Sequence, residues 1–167
     1  MTVTEQERDE LTAKREEIRA KCMAPMGQRP ASSARGIHHT ALISSDVQRT
    51  VDFYQDVLGF PLIEIFENRD LRGSTHFFFD LGNGNTLAFF DLPGVDPGEY
   101  AEVLGGLHHL AISIAHDNWL AARRRLEDAG VDYMLESGTS IYFRDPDGAR
   151  VELIADPLGE MYGLKLW

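Results

Sequence analysis

From Gly36 to Ser44 the side chains alternate, with Ile37, His39, Ala41 and Ile43 on one side and His38, Thr40, Leu42 and Ser44 on the other. That period of two predicts a strand. Asp46 is placed to cap a following helix, in which Val47, Val51, Tyr54, Val57 and Leu58 form an apolar stripe that ends at Gly59. Strands are then expected at about 60–67, 75–81 and 86–91, with Leu81-Gly82-Asn83-Gly84-Asn85 as a hairpin connection. A loop rich in proline and glycine covers 92–105, after which the same order returns: a strand at about 107–115, a helix from Asp117 to Ala129 ended by Gly130, and strands at about 131–135, 139–144 and 149–155. Asp145-Pro146-Asp147-Gly148 reads as a tight turn, with proline fixing one dihedral and glycine supplying a positive one.

The recurrence extends to the letters. Gly36-Ile37-His38-His39-Thr40-Ala41 reappears as Gly106-Leu107-His108-His109-Leu110-Ala111, so the chain is a doubled module. The expected fold is α+β, two tandem βαβββ modules at 36–93 and 106–156 within one domain, 36–156. Residues 1–35 read as an appendage: Thr4 and Glu7 resemble a capping box, a helix runs to about Cys22 with only Leu11 and Ile18 as an apolar stripe, and Pro25, Gly27 and Pro30 open a linker. The expectation is a frayed helix or a strut against a partner subunit, with a lid over the site as the competing role. The tail 157–167 has no assigned element and could close one mouth of the fold.

Composition narrows the function. In 167 residues Asp and Glu outnumber Lys and Arg by 27 to 16, and the doubled part alone carries a net −12, residues 1–35 being slightly basic. Such a surface repels phosphate backbones and anionic membranes, so neither nucleic acid nor membrane is an expected partner. The adjacent arginines 123–125 are the only basic cluster in the sequence, and on a helix they point in three directions. One cysteine, Cys22, allows no internal disulfide, and no early apolar run has the length of a signal peptide, so a cytoplasmic protein is expected.

Superposing the modules places His39 over His109, Ala88 over Glu152, Phe78 over Tyr142 and His76 over Ser140. Glu152 interrupts the apolar run Val-Glu-Leu-Ile, and an unpaired buried carboxylate is costly, so a cation should accompany it. His39, His109 and Glu152 are therefore expected to converge. Two imidazoles and one carboxylate holding a metal with positions left open suit Fe(II), although Mn, Co, Ni or Zn can occupy such a set. The competing reading is that both histidines are ordinary hydrogen-bonded strand residues. His38 and His108 are expected to face away from the ligands. His76 shares parity with Phe78 and should point to the same side as the metal; Phe77, Phe78, Phe79, Phe89 and Phe90 are expected in the core, and by alternation some of them must supply apolar walls there.

Three segments carry a resemblance to a known family: His-x-x-Leu-Ile-Ser-Ser-Asp ahead of Val-Asp-Phe-Tyr-Gln-Asp-Val-Leu-Gly-Phe, then His-x-Ala-Ile-Ser-Ile, then Ile-Tyr-Phe-Arg-Asp-Pro-Asp-Gly-Ala-Arg-Val-Glu-Leu. Over about 36–156 the chain resembles the vicinal oxygen chelate superfamily, which includes glyoxalase I, methylmalonyl-CoA epimerase, fosfomycin-resistance transferases, bleomycin-binding proteins and extradiol dioxygenases. The resemblance implies a cupped mixed sheet around a divalent metal that chelates adjacent substrate oxygens. It implies His39, His109 and Glu152 as metal ligands and Tyr142 as a residue touching substrate, with Asn85 and Ser140 in supporting positions. Ala88 stands where glyoxalase I has a fourth ligand, and Asn85 where extradiol dioxygenases have an acid–base histidine, a role that falls to His76. The expectation is an Fe(II) dioxygenase of extradiol type acting with dioxygen on a small catechol-like or vicinal-oxygen substrate; the sequence does not fix the oligomeric state, and a homodimer is one assembly that related folds adopt. The alternatives are a lyase, isomerase or thiol transferase using the metal as a Lewis acid, and a non-enzymatic resistance protein that sequesters a small molecule.

Overall fold

The computed structural model describes residues 3–166. Helix α1, Glu5–Cys22, begins at the expected capping box, with the Thr4 hydroxyl accepting from the Glu7 amide and the Glu7 carboxylate accepting from the Thr4 amide. None of its residues is buried, in keeping with the thin Leu11 and Ile18 stripe. Arg29 in the linker donates to the Leu166 carbonyl and so ties the two ends of the chain.

The first module contains β1 (His39–Ser44), α2 (Val47–Val51), β2 (Leu62–Glu67), β3 (Thr75–Asp80) and β4 (Thr86–Asp91). The sheet order is β1-β4-β3-β2, with β1 parallel to β4 and the other pairs antiparallel. The second module repeats this with β5 (Leu110–Ser113), α3 (His116–Asp128), β6 (Tyr133–Glu136), β7 (Ser140–Arg144) and β8 (Arg150–Ile154), in the order β5-β8-β7-β6. The duplicated α+β architecture is therefore as the pattern predicts. The tail adds a short antiparallel ribbon, β9 (Glu160–Met161) and β10 (Leu164–Lys165). No helix among the described residues is long and apolar enough to cross a membrane.

Two local features differ from expectation. The helix after Asp46 is α-helical only to Val51 and continues as a π-helical segment, Asp52–Val57. This widened turn leaves the Val57 and Leu58 carbonyls to accept from Arg125 of α3, at 2.6 and 3.0 Å. Gly59 then turns the chain with φ +83°, and a Cβ there would lie 3.1 Å from the Arg125 guanidinium. The first strands also start later than the alternation suggests, at His39 and Leu110, so His38, His108 and His109 precede the paired ladders.

One core joins the modules. Thr40 and Leu42 share a side of β1 with the buried Ser44, and that side meets Phe77, Phe79, Leu87 and Phe89 against α2. The equivalent side of the second sheet supplies Ile141, Phe143, Val151 and Leu153, which pack with Trp119, Ala122 and Leu126 of α3. Phe53 lies 5.9 Å from Phe143 between ring centroids, and the buried Tyr54 hydroxyl donates to Asp145 at 3.0 Å. The modules thus meet through their helix-covered sides. The opposite side of each sheet remains open, where Ile43 and Phe66 in the first and Met134 in the second keep 46, 41 and 56% of their surface exposed.

Candidate metal and substrate site

The open side of the second sheet gathers most of the expected chemistry. Glu152 pairs with Tyr142 across β7 and β8, and both face the side that Ala111 faces on β5. Glu152 is buried, with its side chain 7% exposed. Ser140 donates to its Oε1 at 2.6 Å, and its Oε2 lies 3.2 Å from His109 Nε2. The other ring nitrogen of His109 is 2.7 Å from His108 Nδ1, which fixes the imidazole with Nε2 toward the carboxylate. Metal-binding imidazoles are held through one nitrogen so that the other is free for the metal; here Nδ1 is the held nitrogen, and Nε2 and the Glu152 carboxylate face the same point. Burial, and then the bond to Glu152, push the Tyr142 phenol up to about 12, so it is a neutral donor throughout the physiological range.

The corresponding side of the first sheet holds His39, Phe78, Ala88 and His76. His39 contacts Phe78, with centroids 6.3 Å apart, and its Nδ1 is 2.9 Å from His38 Nδ1. His38 and His108 therefore do not turn to the far side of a sheet, as alternation implied. They precede the ladders and bond to the histidines that follow them. His76 stacks on Phe90 at 3.7 Å and lies against Phe78 and Phe66, with its Nε2 buried and unpartnered. Burial first, then the charges of His39 and Arg69, lower its affinity for a proton. Asn85 sits in the β3–β4 turn, where its amide donates to the Gly82 carbonyl.

The structure thus brings Glu152, His109, Ser140 and Tyr142 together on one module and His39 with His76 on the other. Among the described residues there is no group of three His, Cys, Asp or Glu side chains placed to hold a metal ion. His109 and Glu152 fit two positions of a metal site, and the burial of a carboxylate without a permanent cation favours one. One residue set escaped the sequence reading: Arg144 and Arg150 pair across β7 and β8 on the Glu152 side. Their arrangement becomes visible only once the strands are in register.

A duplicated βαβββ arrangement of two mixed four-stranded sheets defines the class of fold to which the chain belongs. The chain belongs to the Glyoxalase/Bleomycin resistance protein/Dioxygenase superfamily, whose model matches residues 36–153. It is 32% identical to a protein of Bacillus subtilis strain 168 named as a ring-cleaving dioxygenase, MhqA, over 77% of this chain and 43% of the relative. The chain therefore spans less than half the length of that relative. It is 34% identical to lactoylglutathione lyase of Escherichia coli O157:H7, over 71% of this chain and 90% of the relative. A FosX fosfomycin resistance protein of Listeria monocytogenes, solved with Mn(II) and dihydroxypropylphosphonic acid, superposes with a TM-score of 0.55 at 25% identity, covering 75% of this chain and 95% of that one. The superfamily includes metal-dependent dioxygenases, lyases and transferases.

Proposed function

We propose that the protein is a divalent-metal enzyme of extradiol dioxygenase type, using Fe(II) and dioxygen on a small vicinal-oxygen substrate such as a catechol. The observation that carries the reading is the buried Glu152 carboxylate, held by Ser140 and facing His109 Nε2, with Ala88 rather than a fourth ligand in the matching slot. His109 and Glu152 would hold the metal. The third ligand, His39, is on the module whose open side faces elsewhere, so two chains complete the site, with His39 of one copy joining His109 and Glu152 of the other. The exposed apolar residues of both open sides support such a homodimer.

When bound, Fe(II) would supply a Lewis acid for adjacent substrate oxygens and a redox centre for dioxygen chemistry. The protein's own groups do the rest. Tyr142, kept neutral, donates a hydrogen bond to a substrate oxygen. His76 is uncharged, has a free Nε2 and shares its module with His39, so it can take the proton that a substrate hydroxyl releases. Phe66, Phe78 and Phe90 around it exclude water and face a planar ring.

Metal content after anaerobic purification tests the reading, with His109→Ala as control. Stoichiometric iron with oxygen uptake on catechol is the expected result. Zinc, nickel or manganese without oxygen uptake would favour the second reading, a lyase or thiol transferase, which the identity to lactoylglutathione lyase over 90% of that protein supports. The shared site has its own check: inactive His39→Ala and His109→Ala chains, mixed, should regain activity, because a mixed dimer contains one intact set of ligands.

A further inference from the structure

The cavity over Tyr142, about 510 Å³, is lined at one end by Arg144, Arg150 and His108. In an acidic chain two arginines at one spot need an explanation, and both are turned toward a single carboxylate. Glu102, from the loop between the modules, places Oε1 3.0 Å from Arg150 and 3.5 Å from Arg144, and Oε2 3.7 Å from His108 Nε2. Arg150 also lies 3.2 Å from His108 Nε2, and Arg144 donates to the Gly148 carbonyl at 2.9 Å and stacks over Tyr100 at 5.3 Å. Tyr100 in turn donates to the Leu107 and His108 carbonyls, at 2.7 and 3.1 Å. Two other carboxylates, Glu99 and Asp147, line the adjoining pocket; Asp147 is already engaged by Ser45 and Arg49, and neither forms an ion pair with Arg144 or Arg150 among the described residues.

We propose that Arg144 and Arg150 form a carboxylate subsite on the catalytic side of the second sheet, and that Glu102 occupies it as an internal carboxylate until that of a substrate displaces it. Three observations support this. Arg150 is two residues before Glu152 on β8 and Arg144 two residues after Tyr142 on β7, so both arginines project on the Glu152 side, about 7 Å along the strands. The group filling the site shows which chemistry it accepts, a carboxylate reached by two guanidinium groups. The pair is also open to exchange: the Arg144, Arg150 and Glu102 side chains are 50, 32 and 33% exposed, and ion pairs so accessible to water are weak. Glu102 sits in a loop with no regular pairing, so its departure breaks no strand. The inference rests on the reading of Glu152 and Tyr142 as the reacting end and specifies the substrate further, as a vicinal-oxygen compound with a carboxylate on its far side.

The test uses the metal-free full chain and benzoate as probe, with neutral benzamide of the same shape as control. Glu102→Gln should tighten benzoate binding by about fivefold and leave benzamide unchanged, and adding Arg150→Gln should cancel the gain. Unchanged benzoate affinity in Glu102→Gln, or an equal gain for benzamide, would overturn the subsite and leave Glu102 as a tether for the loop. The iron-loaded protein then separates this inference from the functional reading. Preference for 3,4-dihydroxybenzoate over catechol that falls in Arg150→Gln supports both, whereas the benzoate result without turnover of either catechol refutes ring cleavage and upholds the subsite.

Discussion

The two modules share one architecture and differ in what their open sides carry. At equivalent places the first sheet has Phe78 paired with Ala88, and the second has Tyr142 paired with Glu152. His76 among phenylalanines in the first corresponds to Ser140 bonded to the carboxylate in the second. The helix-covered sides did not diverge in this way, because both must fill the same core with apolar groups. The two open sides thus carry different groups: an apolar wall with one histidine in the first, and a polar floor with a carboxylate, a phenol and two arginines in the second.

The largest expected effect separates the two open sides directly. Glu152→Ala should weaken divalent-metal binding by at least about 100-fold, whereas Ala88→Ser should leave it nearly unchanged, both measured by competition with a chelating dye. Equal losses would mean that the open sides are not chemically distinct. Next in size is the junction between modules. Tyr54→Phe leaves the buried Asp145 without its hydroxyl donor, and chemical denaturation should show a loss of about 1–3 kcal/mol.

His76→Phe should have the opposite balance. It removes a buried nitrogen that has no partner, so stability should hold or rise by about 1 kcal/mol while turnover falls. Turnover that survives would reduce His76 to a wall of the aromatic cluster. The smallest effect is a titration. Tyr142 should ionise near pH 12 in an ultraviolet difference titration, and Glu152→Gln should bring it closer to an ordinary tyrosine. Because its folded value is raised, its contribution to stability is complete below the unfolded value near 10 and is lost as pH rises toward 12.

Much of this was legible in the chain because strands and helices impose periods on it. The doubled Gly-x-His-His motif, the alternation along β3 and β8 and the stripe from Val47 to Leu58 report directly on which side faces a core. What was not legible depends on contacts between distant segments. Nothing local marks Asp52–Val57 as π-helical, since the stripe fits either winding. The alternation through His38 and His108 assumed ladders that begin only at His39 and Leu110, so it assigned them the wrong side. Arg144 and Arg150 are separated by a turn, and only the register of β7 with β8 makes them neighbours. Whether the modules meet by their open or their helix-covered sides follows from Phe53, Tyr54 and Phe143 finding one another, which no periodicity encodes.

The parallel pairing of β1 with β4, and of β5 with β8, carries a further consequence. In each module the first strand is sealed against the last, His39 beside Thr86 and Leu110 beside Val151, so every hydrogen-bonded ladder begins and ends within its own half. The loop at 92–105 carries no such ladder. A chain cut there would yield two pieces that each keep a whole sheet and would rejoin through the shared core, the Tyr54–Asp145 bond and the contacts of Arg125 with Val57 and of Arg49 with Asp147. The protein is thus built as a natural pair of complementing fragments, joined by a peptide link that its sheets do not require.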